Sequence, residues 1–144
     1  MTNYSFSKRS LLKLATVHQD LQNTARLALE WGVMDFTVIE GRRDKETQTQ
    51  YFNNGRSKVT WPHSKHNVEN PQDLANAYDI APVINGKISW DHMHCIHLAG
   101  IIISAGRCLG VKIRWGGNWD LDGEPVTDQD FQDLVHYERV VQNV

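Results

Sequence analysis

The chain has 144 residues, 40% of them hydrophobic and 22% charged, with 15 basic and 17 acidic residues and a formal net charge of -2. A chain of this length forms one domain that buries about 68 to 70% of its unfolded surface, and this composition excludes intrinsic disorder and fibrous or low-complexity architecture. The charges are interspersed, so no Lys/Arg stripe exists to neutralise phosphates and a nucleic-acid partner is not expected; no apolar run approaches the roughly 20 residues that span a bilayer, so membrane insertion is not expected either.

Ser7 and Ser10 are capping residues ahead of Leu11, Leu12 and Leu14, which predicts a short first helix. The basic opening Lys8-Arg9 with Lys13 is followed by His18, Gln19 and Asp20 before an apolar run long enough for a signal peptide can build up, so synthesis and folding in a cytoplasm are expected. A second helix is predicted from Gln19 to Trp31, with Leu21, Ala25, Ala28 and Leu29 on one face and Gly32 as its stop. Phe36 to Ile39 reads as a strand closed by Gly41. Asp44 then caps a helix to about Asn53, stopped by Gly55.

From Arg56 to Pro82 the chain has Pro62, Pro71 and many Asn, Asp and Ser residues, which predicts loop around a short strand at Ala77 to Ile80. Asn85-Gly86 is a turn. Ser89 is placed to cap a long helix from Trp90 to about Leu109, ended by Gly110, and Val111, Ile113 and Trp115 alternate as a strand. From Asp128 onward the pattern suggests a capped turn and a strand around His136 to Val140. Cys95 and Cys108, thirteen apart on the long helix, would lie about 20 Å from each other, too far for a disulfide, so both are expected as reduced packing residues. These helices and strands in irregular order predict an α+β fold: a small single domain over residues 1–144, with a short, mainly antiparallel sheet flanked by helices and no separate binding module.

A catalytic zinc site needs three ligands of the His, Asp or Glu type plus an open position. His66 in a loop, Asp79 in the strand Ala77 to Ile80 and His136 supply such a trio, although spacing alone leaves open a paired carboxylate and unliganded histidines. A second group, Asp91, His94, Cys95 and His97 with His92, crowds one helix start; it lacks a distant third anchor and reads as packing plus a solvated face.

The motifs Ser64-Lys65-His66, Ala77-Tyr78-Asp79-Ile80-Ala81-Pro82 and Asp133-Leu134-Val135-His136 resemble those of the zinc peptidases related to D-alanyl-D-alanine carboxypeptidases and dipeptidases, in particular the compact phage L-alanyl-D-glutamate endolysins. The similarity extends to Leu14 through Leu21, to Glu40-Gly41-Arg42-Arg43 with Gln48, to Ile84 through Trp90 and to Leu109 through Trp119. It departs in the twelve residues between His66 and Asp79, where a loop through Asn70-Pro71-Gln72-Asp73 reads as an insertion; added loop length costs little entropy, so the ligands still converge.

The resemblance implies a zinc ion at the sheet, held by His66, Asp79 and His136. It implies Asp133 as the general base and Arg43 as the support for the developing oxyanion or a substrate carboxylate. Substrate contacts fall to Ser64, to Gln48, which also suits holding Arg43, and to Trp115, with Trp119 as a further wall and Glu138 behind a ligand imidazole. If Asp133 to His136 forms a tight turn, both side chains face one pocket. The bland alternatives are a helix or turn cap for Asp133, a surface pairing with Asp44 or Glu46 for Arg43 and core packing for the tryptophans.

The expected activity is hydrolysis of the L-alanyl-D-glutamate bond of peptidoglycan stem peptides by a monomeric phage lysis enzyme. It would be made in the host cytoplasm and reach the periplasm and cell wall through a separate membrane pore. A D-alanyl-D-alanine carboxypeptidase or dipeptidase, and a zinc-bearing binding domain that has lost catalysis, are the alternatives.

Overall fold

The computed structural model describes residues 3–126, 129 and 131–141. In chain order the elements are α1 (Lys8–Leu14), α2 (Gln19–Glu30), β1 (Phe36–Glu40), α3 (Lys45–Asn53), β2 (Ala77–Ile84), β3 (Lys87–Ile88), α4 (His92–Cys108), β4 (Ile113–Gly116) and β5 (Asp133–Arg139). The strands form one antiparallel sheet in the order β1-β2-β5-β4, with β3 paired to the far end of β2. The architecture is α+β, as its mixed pattern of elements predicts.

Local chemistry sets the helix ends. Ser7 caps α1, while Ser10 is buried inside it and bonds Thr37 Oγ1 at 2.7 Å, pinning the helix to β1. His18 caps α2 with its Nδ1, and Asp44 caps α3 by accepting from the Thr47 N–H. The cap of α4 is Asp91, which accepts from Met93 N, not Ser89 as expected. Ser89 instead pairs with His94 Nδ1 at 2.6 Å, leaving Trp90 outside the helix. Cys95 is buried, Cys108 is exposed and both are free.

One face of the sheet is the core. The alternation of a strand puts every second side chain on the same side. Tyr78 and Ile80 of β2, Tyr137 of β5, and Ile113 and Trp115 of β4 therefore pack with Leu21, Ala25 and Ala28 of α2 and Leu98, Ile102 and Ala105 of α4. Tyr78 and Tyr137 sit opposite each other and meet edge to face. The intervening residues, Asp79, Arg114, His136 and Glu138, line a cleft on the other face.

The strands differ from expectation in two places. β2 runs on through Pro82 to Ile84, where the proline suggested an end. The Pro82 carbonyl accepts from Ser89 N on the side away from β1. Its missing N–H also faces that side, beyond the β5 pairing at Ala77 to Asp79 and at the end of the β3 hairpin, so the proline forgoes at most the one reciprocal bond to Ser89. In β5, Asp133 to His136 is strand and not a tight turn. Gly116 pairs with Asp133 while the adjacent Trp115 pairs with Tyr137, so three residues of β5 bulge out without partners on β4. The bulge re-aims Asp133, and it reaches the same cleft as His136 despite their odd spacing. Of the expected turn before β5, Asp128 lies outside the described residues.

Candidate metal and catalytic site

Asp79 and His136 face each other across the β2–β5 pair, and the loop before β2 brings His66 onto them. His66 Nε2 lies 3.2 Å from both Asp79 Oδ1 and His136 Nδ1, and the latter two are 3.4 Å apart. A tetrahedral ion with ligands at about 2.0–2.2 Å separates them by about 3.3–3.5 Å, so the trio has the dimensions of a metal cage.

The outer nitrogens decide the tautomers. His66 Nδ1 is 2.8 Å from the Gly41 carbonyl oxygen, which only accepts, and His136 Nε2 is 2.9 Å from Glu138 Oε1. With those nitrogens donating, the lone pairs of His66 Nε2 and His136 Nδ1 point at each other and at a carboxylate oxygen, an arrangement that needs a cation. Without a metal a proton takes that role. Burial alone would lower the imidazolium of His136, but its bonds to Asp79 and Glu138 carry it up to about 9. Burial likewise pushes the Asp79 carboxyl up, and the two imidazoles outweigh it and hold the group well below the usual carboxylate range. Among the described residues this is the one His/Cys/Asp/Glu group whose atoms converge in this way. In the helix-start cluster, by contrast, Asp91 caps α4, Cys95 is buried and His94 bonds Ser89.

Both imidazoles of the trio are held from behind. Gly41 passes so close to α1 that a Cβ on it would lie 2.5 Å from the Lys13 carbonyl oxygen. Arg43 N donates to His66 O at 2.8 Å, tying the two segments together. Ser64 Oγ accepts from His66 N, and Glu138, bound to His136, takes a 2.7 Å bond from Arg114 on its second oxygen. Asp133 borders the trio. Burial, followed by the negative charge of Asp79, raises its carboxyl above the ordinary value, against the opposing pull of His136, His66 and Arg43. Arg43, 7% exposed, has Nη2 4.0 Å from Asp79 Oδ2 and 3.6 Å from Glu40 Oε2.

The profile of the phage L-alanyl-D-glutamate peptidase family matches residues 2–140. The chain belongs to that family. It is 35% identical to the L-alanyl-D-glutamate peptidase of Escherichia phage T5 over 123 residues, 85% of this chain and 86% of that relative. The crystal structure of the Serratia marcescens L-Ala D-Glu endopeptidase ChiX superposes with a TM-score of 0.76 at 27% identity, covering 96% of this chain and 91% of that one.

The peptidase cleft has a volume of about 590 Å³. It brings together His66, Asp79, His136, Asp133, Arg43 and Ser64. Gln48 and Trp115 stand elsewhere. Gln48 is fully buried beneath the cleft, where its Oε1 accepts from Arg43 Nη1 at 2.8 Å. Trp115 is 3% exposed on the core face, donating Nε1–H to the Leu134 carbonyl, so the place expected for it in the wall belongs to Trp119. Trp119 has its ring 5.5 Å from that of His136 and stacks on Phe131. Sequence reasoning missed Phe131, Tyr51, Arg56, Lys58 and Arg114 as cleft residues. For Arg114 the signal was present in strand alternation: with Ile113 and Trp115 on the core face, the residue between them must face the cleft.

Proposed function

We propose that this protein hydrolyses the L-alanyl-D-glutamate bond of peptidoglycan stem peptides with zinc held by His66 Nε2, Asp79 Oδ1 and His136 Nδ1. The observation that carries the reading is the convergence of those three atoms with both imidazoles tied from behind. A donor set of two imidazole nitrogens and one carboxylate oxygen suits zinc. Zinc held by those three residues would supply Lewis-acid polarisation of the scissile carbonyl and of a water near neutral pH.

The chain's own residues do the rest. The Asp133 carboxylate accepts the proton that water loses as the oxygen adds to the alanyl carbonyl carbon. It delivers that proton to the glutamate nitrogen as the C–N bond breaks, so a carboxylic acid and an amine leave. Arg43, always charged and fixed by Gln48, supports the negative charge that develops on the carbonyl oxygen. Ser64 steadies the loop that presents His66. Trp119 shields one side of His136 from solvent.

The biological setting we propose is phage-induced lysis, by a monomer made in the host cytoplasm and released to the wall through a separate membrane pore. Mass spectrometry of digested muropeptides tests the bond, and elemental analysis the metal. A new N-terminal D-glutamate with one zinc per chain is expected. Release of terminal D-alanine with the first bond intact would move the protein to the carboxypeptidase reading, and zinc without any product would make it a binding domain.

A further inference from the structure

The end of the cleft beyond Arg43 carries positive charge that the hydrolytic chemistry does not use. Tyr51, from α3, has the Arg43 guanidinium over its ring at 4.6 Å and the Arg56 guanidinium over it at 4.0 Å. The two guanidinium carbons therefore lie within about 9 Å of each other. Lys58 stands 5.3 Å from the Phe131 ring centre on the same cleft. Arg43 is engaged by Glu40 and Gln48, and Arg114 by Glu138. Neither Arg56 nor Lys58 has a carboxylate partner among the described residues.

These cations are exposed, yet the segment bearing them is built in. The backbone N–H groups of Arg56 and Ser57 both donate to the Tyr51 carbonyl, at 2.8 and 3.1 Å. The buried Gln48 amide donates to Ser57 Oγ at 2.9 Å and to the Val59 carbonyl at 2.7 Å, while its oxygen holds Arg43. One side chain thus ties the arginine beside the metal cage to the segment that carries Arg56 and Lys58. A guanidinium stacked on an aromatic ring keeps its edge free and its orientation fixed, which suits a two-pronged grip on a carboxylate.

Given the proposed substrate, the chemistry indicates where that carboxylate lies. On the alanyl side of the scissile bond the stem carries a methyl group and a lactyl amide. Every free carboxylate is on the glutamate side, beginning with that of D-glutamate itself.

We propose that Arg56, assisted by Lys58, determines specificity by binding a free stem-peptide carboxylate on the leaving-amine side of the scissile bond, with Gln48 as the residue that positions it. The inference rests on the L-alanyl-D-glutamate reading. The test uses three synthetic peptides containing the L-alanyl-D-glutamyl bond: one with all carboxylates free, one with the free glutamate carboxylate amidated, and one with the carboxylate of the following residue amidated.

The intact zinc-loaded protein should prefer the free acid over one of the two amides by about 10- to 100-fold in kcat/KM, mostly through KM, and the disfavoured amide identifies which carboxylate is read. Arg56→Ala should lower kcat/KM on the free acid by a similar factor and leave that amide unchanged, removing the preference. Arg56→Lys should restore part of it, and Lys58→Ala should show a smaller loss of the same kind. Circular dichroism and zinc content should match those of the unaltered protein. An equal loss on all three peptides, or no loss on any, overturns the proposal. Failure of the intact protein to cut any of them at this bond would overturn the functional reading itself, and this proposal with it.

Discussion

The role proposed for Asp133 differs from that of the trio beside it. Its carboxyl is partly buried, and its proton affinity is raised by that burial and by Asp79, as suits a group that must take up a proton and give it back. Asp133→Asn keeps the shape and removes the base. The expected outcome is a full equivalent of zinc with turnover reduced about 10²- to 10⁴-fold, read by elemental analysis alongside muropeptide kinetics. Loss of zinc in that variant would make Asp133 part of the cage, and near-normal turnover would remove it from the mechanism.

Two glycines show how whole elements aim these groups. A Cβ on Gly41 would lie 2.5 Å from the Lys13 carbonyl, and the Gly41 carbonyl holds His66; a Cβ on Gly116 would collide with the Asp133 carbonyl. Gly41→Ala should therefore weaken zinc binding, whereas Gly116→Ala should preserve zinc and lower turnover by displacing the base. Competition titration against a zinc buffer and steady-state kinetics on both variants distinguish the two. A single shared defect would show that the two supports are not independent.

Asp44, which caps α3, gives a second test at this scale. The Thr47 N–H holds its carboxyl below the ordinary value, so its contribution is fully present above the unfolded pKa, near 4, and is lost as the pH falls through the lowered folded value. Asp44→Ala should cost about 1 kcal/mol at pH 7, shrinking towards zero in strong acid, while Asp44→Asn keeps an uncharged cap throughout. Denaturant titrations across pH measure both.

The same elements show what could be read in advance. Periodicity and caps located α2 and α3 nearly to the residue and found α1 by its Ser7 cap, and the strand bearing Asp79 was visible in its apolar flanks. The β5 bulge was not, because nothing in Asp133-Leu134-Val135-His136 records how many residues β4 sets against it. Trp115 was misplaced for a related reason. Aromatic content does not distinguish core from cleft until strand register assigns the face.

At the scale of the whole molecule the proposed metal cage would also be a cross-link. His66 lies in a long loop, Asp79 in β2 and His136 in β5, so an ion held by all three would join the middle of the sheet to the segment that also carries Ser64 and contacts Arg43. A ligand that binds only the folded state stabilises it by RT ln(1 + [L]/Kd), about 4 kcal/mol when the free ion is at 1,000 times Kd. For a domain of this size each kcal/mol moves Tm by about 2–4 °C, so removing the metal should lower Tm by roughly 10 °C. In the cage left behind, the bonds of His136 to Asp79 and Glu138 raise its proton affinity, so a proton on His136 offsets part of the charge the metal would balance. The expected result in calorimetry is therefore one cooperative transition in each state, displaced by chelator and restored by zinc. His136→Ala should melt near the chelated temperature with or without zinc. Equal melting temperatures for the loaded and chelated protein would mean that the three segments are held together by their hydrogen bonds alone.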